Sequence, residues 1–255
     1  MTMRFLHLIY ILLAATLVPS QAKAQIGEYR NTFSVGGSAG YMLNNISFQP
    51  TVLQNMHGGM TFGLTGRYTS EKYFSTLCAI QVEMNVAQMG WKQDIATIDN
   101  TPVINPNTGV AEEYQRDITY IQIPIFAHLS WGREARGVCA YLNLGPQIGF
   151  MLSDKTVKNY DTPYTRENFP ENFTNRVGRA SQIVAQETMP VENKFDFGIA
   201  FGAGIECHFN KVGRFNLEGR FYYGLGNIYG DSKRDFFGAS NHTTIVVKMG
   251  YLYDL

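Results

Sequence analysis

Seven ionisable side chains, Arg67, Glu83, Arg116, Glu206, Glu218, Arg220 and Lys248, fall at alternate positions of extended segments, and Gln122 shares their faces. Charges of both signs on one set of faces permit two kinds of chemistry. They can line a path for ions, or they can form a buried network of ion pairs and hydrogen bonds that fixes register. The spacing favours the network, because an eight-stranded enclosure leaves room only for side chains. His57, His128, His208 and His242 show no metal-ligand spacing, and no metal or cofactor is expected. Asp196-Phe197-Gly198 matches a kinase tripeptide but lacks the accompanying Gly-rich and catalytic loops. The strand glycines precede no helix and so form no phosphate loop. No catalytic residue is expected; His57, His242 and Ser240 near segment ends leave a lipid-modifying enzyme as a minor alternative.

The element that must position Arg116 and Gln122 runs from Gln115 to Trp131. Thr119, Ile121, Ile123, Ile125, Ala127, Leu129 and Trp131 share one face, while Arg116, Tyr120, Gln122, Pro124 and His128 share the other. A period of two over so long a run predicts a strand far longer than the usual ~5–6 residues. Pro124 and Pro146 each remove a ladder donor and are expected at bulges in neighbouring strands.

Charged residues are 16% of the chain, below the usual ~25%. That is too few to coat a soluble barrel generously. Arg4, the apolar run from Phe5 to Val18 and Ala22-Lys23-Ala24 read as a signal peptide over residues 1–24, with no lipoprotein cysteine after it. Taking Arg4 and Lys23 from the 21 basic residues leaves 19 against 21 acidic ones, so nucleic acid is not an expected partner. Cys78, Cys139 and Cys207 are odd in number and widely spaced, hence small packing residues and not a disulfide framework.

Residues 25–255 then read as one all-β domain. Two-faced strands are expected at about 32–43, 57–69, 73–92, 114–131, 137–153, 194–209, 213–225 and 242–254. Short turns alternate with long polar loops at about 44–56, 93–113, 154–193 and 226–241. That alternation predicts an up-and-down antiparallel transmembrane barrel of eight strands, with turns and termini periplasmic and long loops outside the cell. Residues 181–188 could add strands and make ten. Tyr68, Phe74, Trp131, Phe209, Phe215, Tyr251 and Tyr253 gather near the turn ends, where an interfacial aromatic girdle belongs. Outer-membrane lipid is thus one expected partner. An envelope or extracellular protein is another, through the loop 154–193, whose Tyr160, Tyr164, Phe169 and Phe173 either anchor that partner or pack the loop against itself.

The blocks YIQIPIFAHLSWG at 120–132, YLNLGPQIGFMLSDK at 141–155, FDFGIAFGAGIE at 195–206 and RFNLEGRFYYGLGNI at 214–228 resemble the Bacteroidetes PorT-like, or "porin family", outer-membrane β-barrel proteins. FSVGGSAGYML at 33–43 and TTIVVKMGYLY at 243–253 extend the likeness over nearly the whole mature chain. The resemblance implies a barrel of the outer membrane and no catalytic motif. Its founding member is linked to protein secretion, a role the likeness does not carry to this chain. The expected function is a non-enzymatic structural or interaction role in the cell envelope. A narrow solute channel is the second reading.

Overall fold

The computed structural model describes residues 27–52, 54–95, 101–105, 108–134, 136–160, 186, 189–209, 212–230 and 236–255. The expected signal segment 1–24 lies outside them, as do Tyr164, Phe169, Phe173 and, apart from Gln186, the stretch 181–188. Among the described residues the strands are β1 (Glu28–Gln49), β2 (His57–Tyr73), β3 (Thr76–Asp94), β4 (Glu113–Gly132), β5 (Gly137–Lys158), β6 (Phe195–Phe209), β7 (Gly213–Asn227) and β8 (Ala239–Asp254). Each pairs antiparallel with the next and β8 returns to β1, closing an eight-stranded barrel.

The walls alternate as a period of two requires. On β4 the residues Tyr120, Gln122, Phe126 and His128 are buried, while Ile125 and Leu129 are exposed. The exposed outer positions are apolar on every strand: Val35 and Leu43, Phe62 and Leu64, Ile80 and Val82, Leu142 and Leu144, Ile199 and Phe201, Leu217 and Phe221, Val247 and Met249. From Ile121 to Trp131 this run climbs about 33 Å along β4, or about 25 Å vertically at a tilt of about 40°. That is the height of the apolar band on outer-membrane barrels.

Toward the long-loop end the same alternation continues, but the two faces exchange polarity. On β4 the outward residues become Glu113, Gln115, Asp117 and Thr119, while Tyr114, Ile118 and Tyr120 turn inward and are buried. β1 does the same, with Ser47 and Gln49 outside and Ile46 and Phe48 inside. The barrel is polar inside and apolar outside over its band, and apolar inside and polar outside above it.

This inversion corrects several expected boundaries. Residues 44–49 and 154–158, expected in loops, are the upper ends of β1 and β5. The connections at that end therefore span 50–56, 95–112, 159–194 and 228–238. The β2–β3 turn lies at Phe74 and Ser75, not at 69–72, because a register shift after Thr69 carries β2 on to Tyr73.

The prolines are a second correction. β3 pairs β4 at Val82↔Ile125 and again at Asn85↔Gln122 without a change of register. β4 and β5 likewise pair at Pro124↔Gln147 and Ala127↔Leu144 in one register. Pro124 and Pro146 thus sit at gaps in a ladder and not at bulges. The register shifts lie elsewhere, at Tyr29/Thr32, Thr69/Glu71, Thr119/Tyr120 and Tyr223/Asn227. Gly90 is required by close approach: it has φ of 151°, and a Cβ there would meet the Arg116 carbonyl at 2.0 Å.

Candidate functional site

The barrel interior holds the chemistry, in three tiers. In the lowest, β2 and β6 bring Arg67 and Glu206 together, with Arg67 Nη1 donating to Glu206 Oε2 at 2.7 Å. Arg67 Nε also donates to Gln81 Oε1 at 2.9 Å, and His208 Nε2 lies 2.7 Å from Glu206 Oε1. Arg214 reaches Glu206 at 3.5 Å and donates to Asp254 Oδ2 at 2.9 Å. The β4–β5 turn folds under this tier. Glu134 there accepts from Arg30 Nε at 2.9 Å and pairs with Lys72 Nζ at 2.6 Å, and the His208 ring contacts its carbonyl. Desolvation raises the Glu134 carboxyl, but hydrogen bonds from Arg30 and Lys72 outweigh it and hold the group below the ordinary carboxylate range.

The middle tier centres on Glu83. It accepts from both Arg220 Nη atoms at 2.8 Å, Lys248 Nζ at 2.6 Å, Gln81 Nε2 at 2.7 Å and Asn85 Nδ2 at 3.0 Å. Arg220 Nε donates to Glu218 Oε1 at 2.6 Å, and its guanidinium lies 4.5 Å from the Phe126 ring centroid. Glu218 Oε2 accepts from Asn143 Nδ2 at 2.9 Å and the Tyr141 hydroxyl at 3.2 Å. Glu83, Glu206 and Glu218 thus face Arg67, Arg220 and Lys248, three carboxylates against three cations, all buried. Such balance is what allows these charges to stay ionised away from water.

Among the described residues, two small cavities lie in this packing. One lies between Gln122, Gln147, Tyr222 and Thr244, the other between Gln81, Asn216 and Glu218. Each leaves about 10 Å³ for a water's centre, room for roughly one molecule.

The upper tier is the inverted section, a plug of rings. Phe48 lies 5.6 Å from Trp91 and 4.8 Å from Phe237, and Tyr229 lies 5.6 Å from Phe237, centroid to centroid. Burial pushes the Tyr229 phenol up. Arg116 belongs to this tier. It lies 5.8 Å from the Trp91 ring centroid and donates from Nε to Asp154 Oδ1 at 2.8 Å. A second bond reaches Asp154 from Nη2, and Nη1 donates to the Met189 carbonyl at 2.6 Å.

Of the eight interior residues named from sequence, the structure joins Arg67, Glu83, Glu206, Glu218, Arg220 and Lys248 at two linked levels. Arg116 is inward as expected but separate, serving the rim. Gln122 lines the upper cavity and donates to Met89 Sδ at 3.0 Å. His208, Arg214 and Asp254 join this network beyond the eight; 206 and 208 share one face of β6, and 214 and 218 share one face of β7. Glu134 carries no such signal, because a turn has no period.

Tyr68, Phe74, Phe209, Phe215 and Tyr253 are exposed on the outer wall near the turns, and Trp131 and Tyr251 are half-buried there. Phe215 lies 5.0 Å from Tyr251, and Trp131 Nε1 donates to Thr76 Oγ1 at 2.7 Å. Of the two roles expected for Tyr160, its burial in the rim plug agrees with packing and not with presentation to a partner, and Lys158 Nζ lies 5.3 Å from its ring centroid. His57 pairs with Asp117 at 2.7 Å; Ser240 Oγ accepts from the Tyr229 amide at 3.2 Å. No hydrogen bond joins a serine to a histidine among the described residues.

The family described as outer membrane protein beta-barrel domain matches residues 20–230. No curated protein matches the sequence. Among solved structures, Neisserial surface protein A is 11% identical, with a TM-score of 0.42 over 88% of this chain and 97% of its own. OprG from Pseudomonas aeruginosa is 13% identical, with a TM-score of 0.42 over 89% and 98%. Ail, the attachment invasion locus protein of Yersinia pestis, is 12% identical, with a TM-score of 0.34 over 89% and 99%.

Proposed function

Because this chain belongs to the outer membrane protein β-barrel domain family, we propose that it is a solute-closed, non-enzymatic barrel whose activity lies in its rim or its envelope partners. It is an integral protein of the Gram-negative outer membrane, crossing it by strands. The observation that carries the closed reading is the filled interior: a balanced ionic tier under a plug of packed rings, with cavities of about one water each. A narrow small-solute channel is the second reading, favoured by the polar lining of those cavities. Recording from purified protein in planar bilayers separates the two. The closed barrel gives no stable single-channel steps, whereas a reproducible large conductance would establish the channel.

In this reading the short turns and both termini face the periplasm and the inverted section rises outside the cell, as the asymmetry of connections supports. Tyr68, Phe74, Trp131, Phe209, Phe215, Tyr251 and Tyr253 form the periplasmic girdle, and residues 1–24 are the export signal removed from the barrel 25–255. The finer likeness to PorT-like barrels of Bacteroidetes rests on the blocks 120–132 and 141–155. The connection around 154–193 is the site offered to a protein partner, with Tyr164, Phe169 and Phe173 as its aromatic contacts and Tyr160 as its internal fastening. Replacing residues 161–185 by a short turn should leave the barrel heat-modifiable on gels and abolish partner capture from native membranes; retained capture would move the site elsewhere.

A further inference from the structure

The seam where β1 closes on β8 is short of side chains on its inner face. Ser38 is an inward residue of β1 there, with Gly36 and Gly40 two places to either side of it. Its register partners are Gly63 of β2 and Gly250 of β8. Four glycines therefore surround one serine. The lower cavity lies beside Ser38 and Gly250, and Asn216, Glu83, Glu218 and Lys248 also line it.

Ser38 Oγ is fully buried and has no hydrogen-bond partner in the protein. Such an orphan carries the cost of a polar group taken from water without replacement. The glycines show where the neighbouring side chains go instead. A Cβ on Gly63 would stand 2.0 Å from Asn85 Oδ1, and one on Gly250 would stand 2.6 Å from Asn216 Oδ1. Each glycine makes room for an asparagine of the next strand. Asn85 is spent on Lys248 and Glu83. The Asn216 amide leans over Gly250 beside the cavity, and no hydrogen bond engages it among the described residues.

Ser38 and Asn216 thus border one cavity from the two strands that flank β8. Neighbouring strands lie about 4.8 Å apart, so these two backbones are about 10 Å apart, too far for so short a pair to meet directly. We propose that the lower cavity binds one water molecule, which bridges Ser38 Oγ to the side-chain amide of Asn216 and so ties β1 to β7 across the closing strand.

Size and charge both select water. About 10 Å³ for the molecule's centre admits one water and nothing larger. A small ion would bring a charge, yet Glu83, Glu206 and Glu218 already balance Arg67, Arg220 and Lys248. An added ion would stand uncompensated where burial makes that costly. Hydroxyl, amide and water each donate and accept, so the bridge is satisfied at both ends. Lys248 adds to the fit, because its ammonium carries three hydrogens and Glu83 and Asn85 take two.

Two measurements on the full-length folded barrel test this. A crystal structure resolving ordered solvent should show one peak in the lower cavity, within hydrogen-bonding distance of Ser38 Oγ and of the Asn216 amide. An empty cavity, a peak bonded to only one of them, or an anomalous signal from an ion would each overturn it. Ser38→Ala gives a test by sign, read as the urea unfolding midpoint in phospholipid vesicles. Removing a true orphan relieves a buried unpaired group and raises the midpoint. Removing one end of a water bridge lowers it, and a midpoint unchanged or raised refutes the bridge. Asn216→Leu should lower the midpoint too, and the double variant should lose less than the sum of the singles, because both remove the same water. Strict additivity would show that no molecule is shared. Should a variant fail to fold, the wild-type crystal structure still decides.

Discussion

Replacing Glu83 by glutamine tests the central claim, that the barrel is filled by a balanced ionic network. The substitution keeps size and shape but removes the charge on which Arg220 and Lys248 converge. Two carboxylates are left to face three buried cations, and the new amide group points at donors, not acceptors. Leaving a buried charge uncompensated costs about 3–5 kcal/mol. That is a large part of the ~5–15 kcal/mol that holds a typical fold. Adding Lys248→Met restores two against two at similar volume. The double variant should therefore be less destabilised than the sum of the singles by roughly 1–3 kcal/mol. Urea unfolding in phospholipid vesicles, followed through Trp91 in the rim and Trp131 on the wall, measures all four corners of the cycle. A Glu83→Gln loss under about 1 kcal/mol, or strict additivity, would refute the network and favour a hydrated lumen that screens these charges.

Three further outcomes follow from other tiers. Arg116→Leu frees the Met189 carbonyl and strands Asp154, so limited proteolysis should cut the 159–194 connection faster while the walls stay resistant; an unchanged cleavage rate would show that Arg116 holds nothing. Glu134, held below its ordinary value by Arg30 and Lys72, stabilises the closed turn above the unfolded carboxylate range and loses that contribution as pH falls through its folded value. The unfolding midpoints of wild type and Glu134→Gln should therefore differ at neutral pH and converge in acid, and a gap that widens in acid reverses the sign. Ile125→Arg, near the middle of the outer band, should cost about 2–4 kcal/mol in vesicles, whereas Thr119→Arg at its edge should cost about 0–1 kcal/mol. Equal costs would misplace the band.

The faces of the walls were legible because alternation needs only a hydrophobicity contrast between neighbours, and that contrast is strong from Thr119 to Trp131. The ends of the walls were not. Between Asn44 and Gln49 the period of two persists, but Ile46 and Phe48 are the inward residues and Asn45, Ser47 and Gln49 the outward ones. A polar outer face read in isolation looks like a loop, although it is a strand leaving the apolar band. Arg116 was legible as inward for the same reason, yet its partners depend on the 159–194 connection crossing above it, which no local pattern encodes. Contacts such as Glu134 with Arg30 join residues 104 positions apart and exist only once the barrel closes.

The exchange of polarity partway up the wall also gives the protein a waterline. Raising β4 by two residues would lift Ile121 into water; lowering it by the same step would drag Thr119 and then Asp117 toward hydrocarbon. Such a step is about 5 Å along the membrane normal. A wall with a uniform apolar exterior could float at any of several depths at little cost, but this one has a single draught. Where the surrounding bilayer is thicker or thinner than the band, the lipid must therefore stretch or thin around the barrel, because sliding would wet one edge or bury the other.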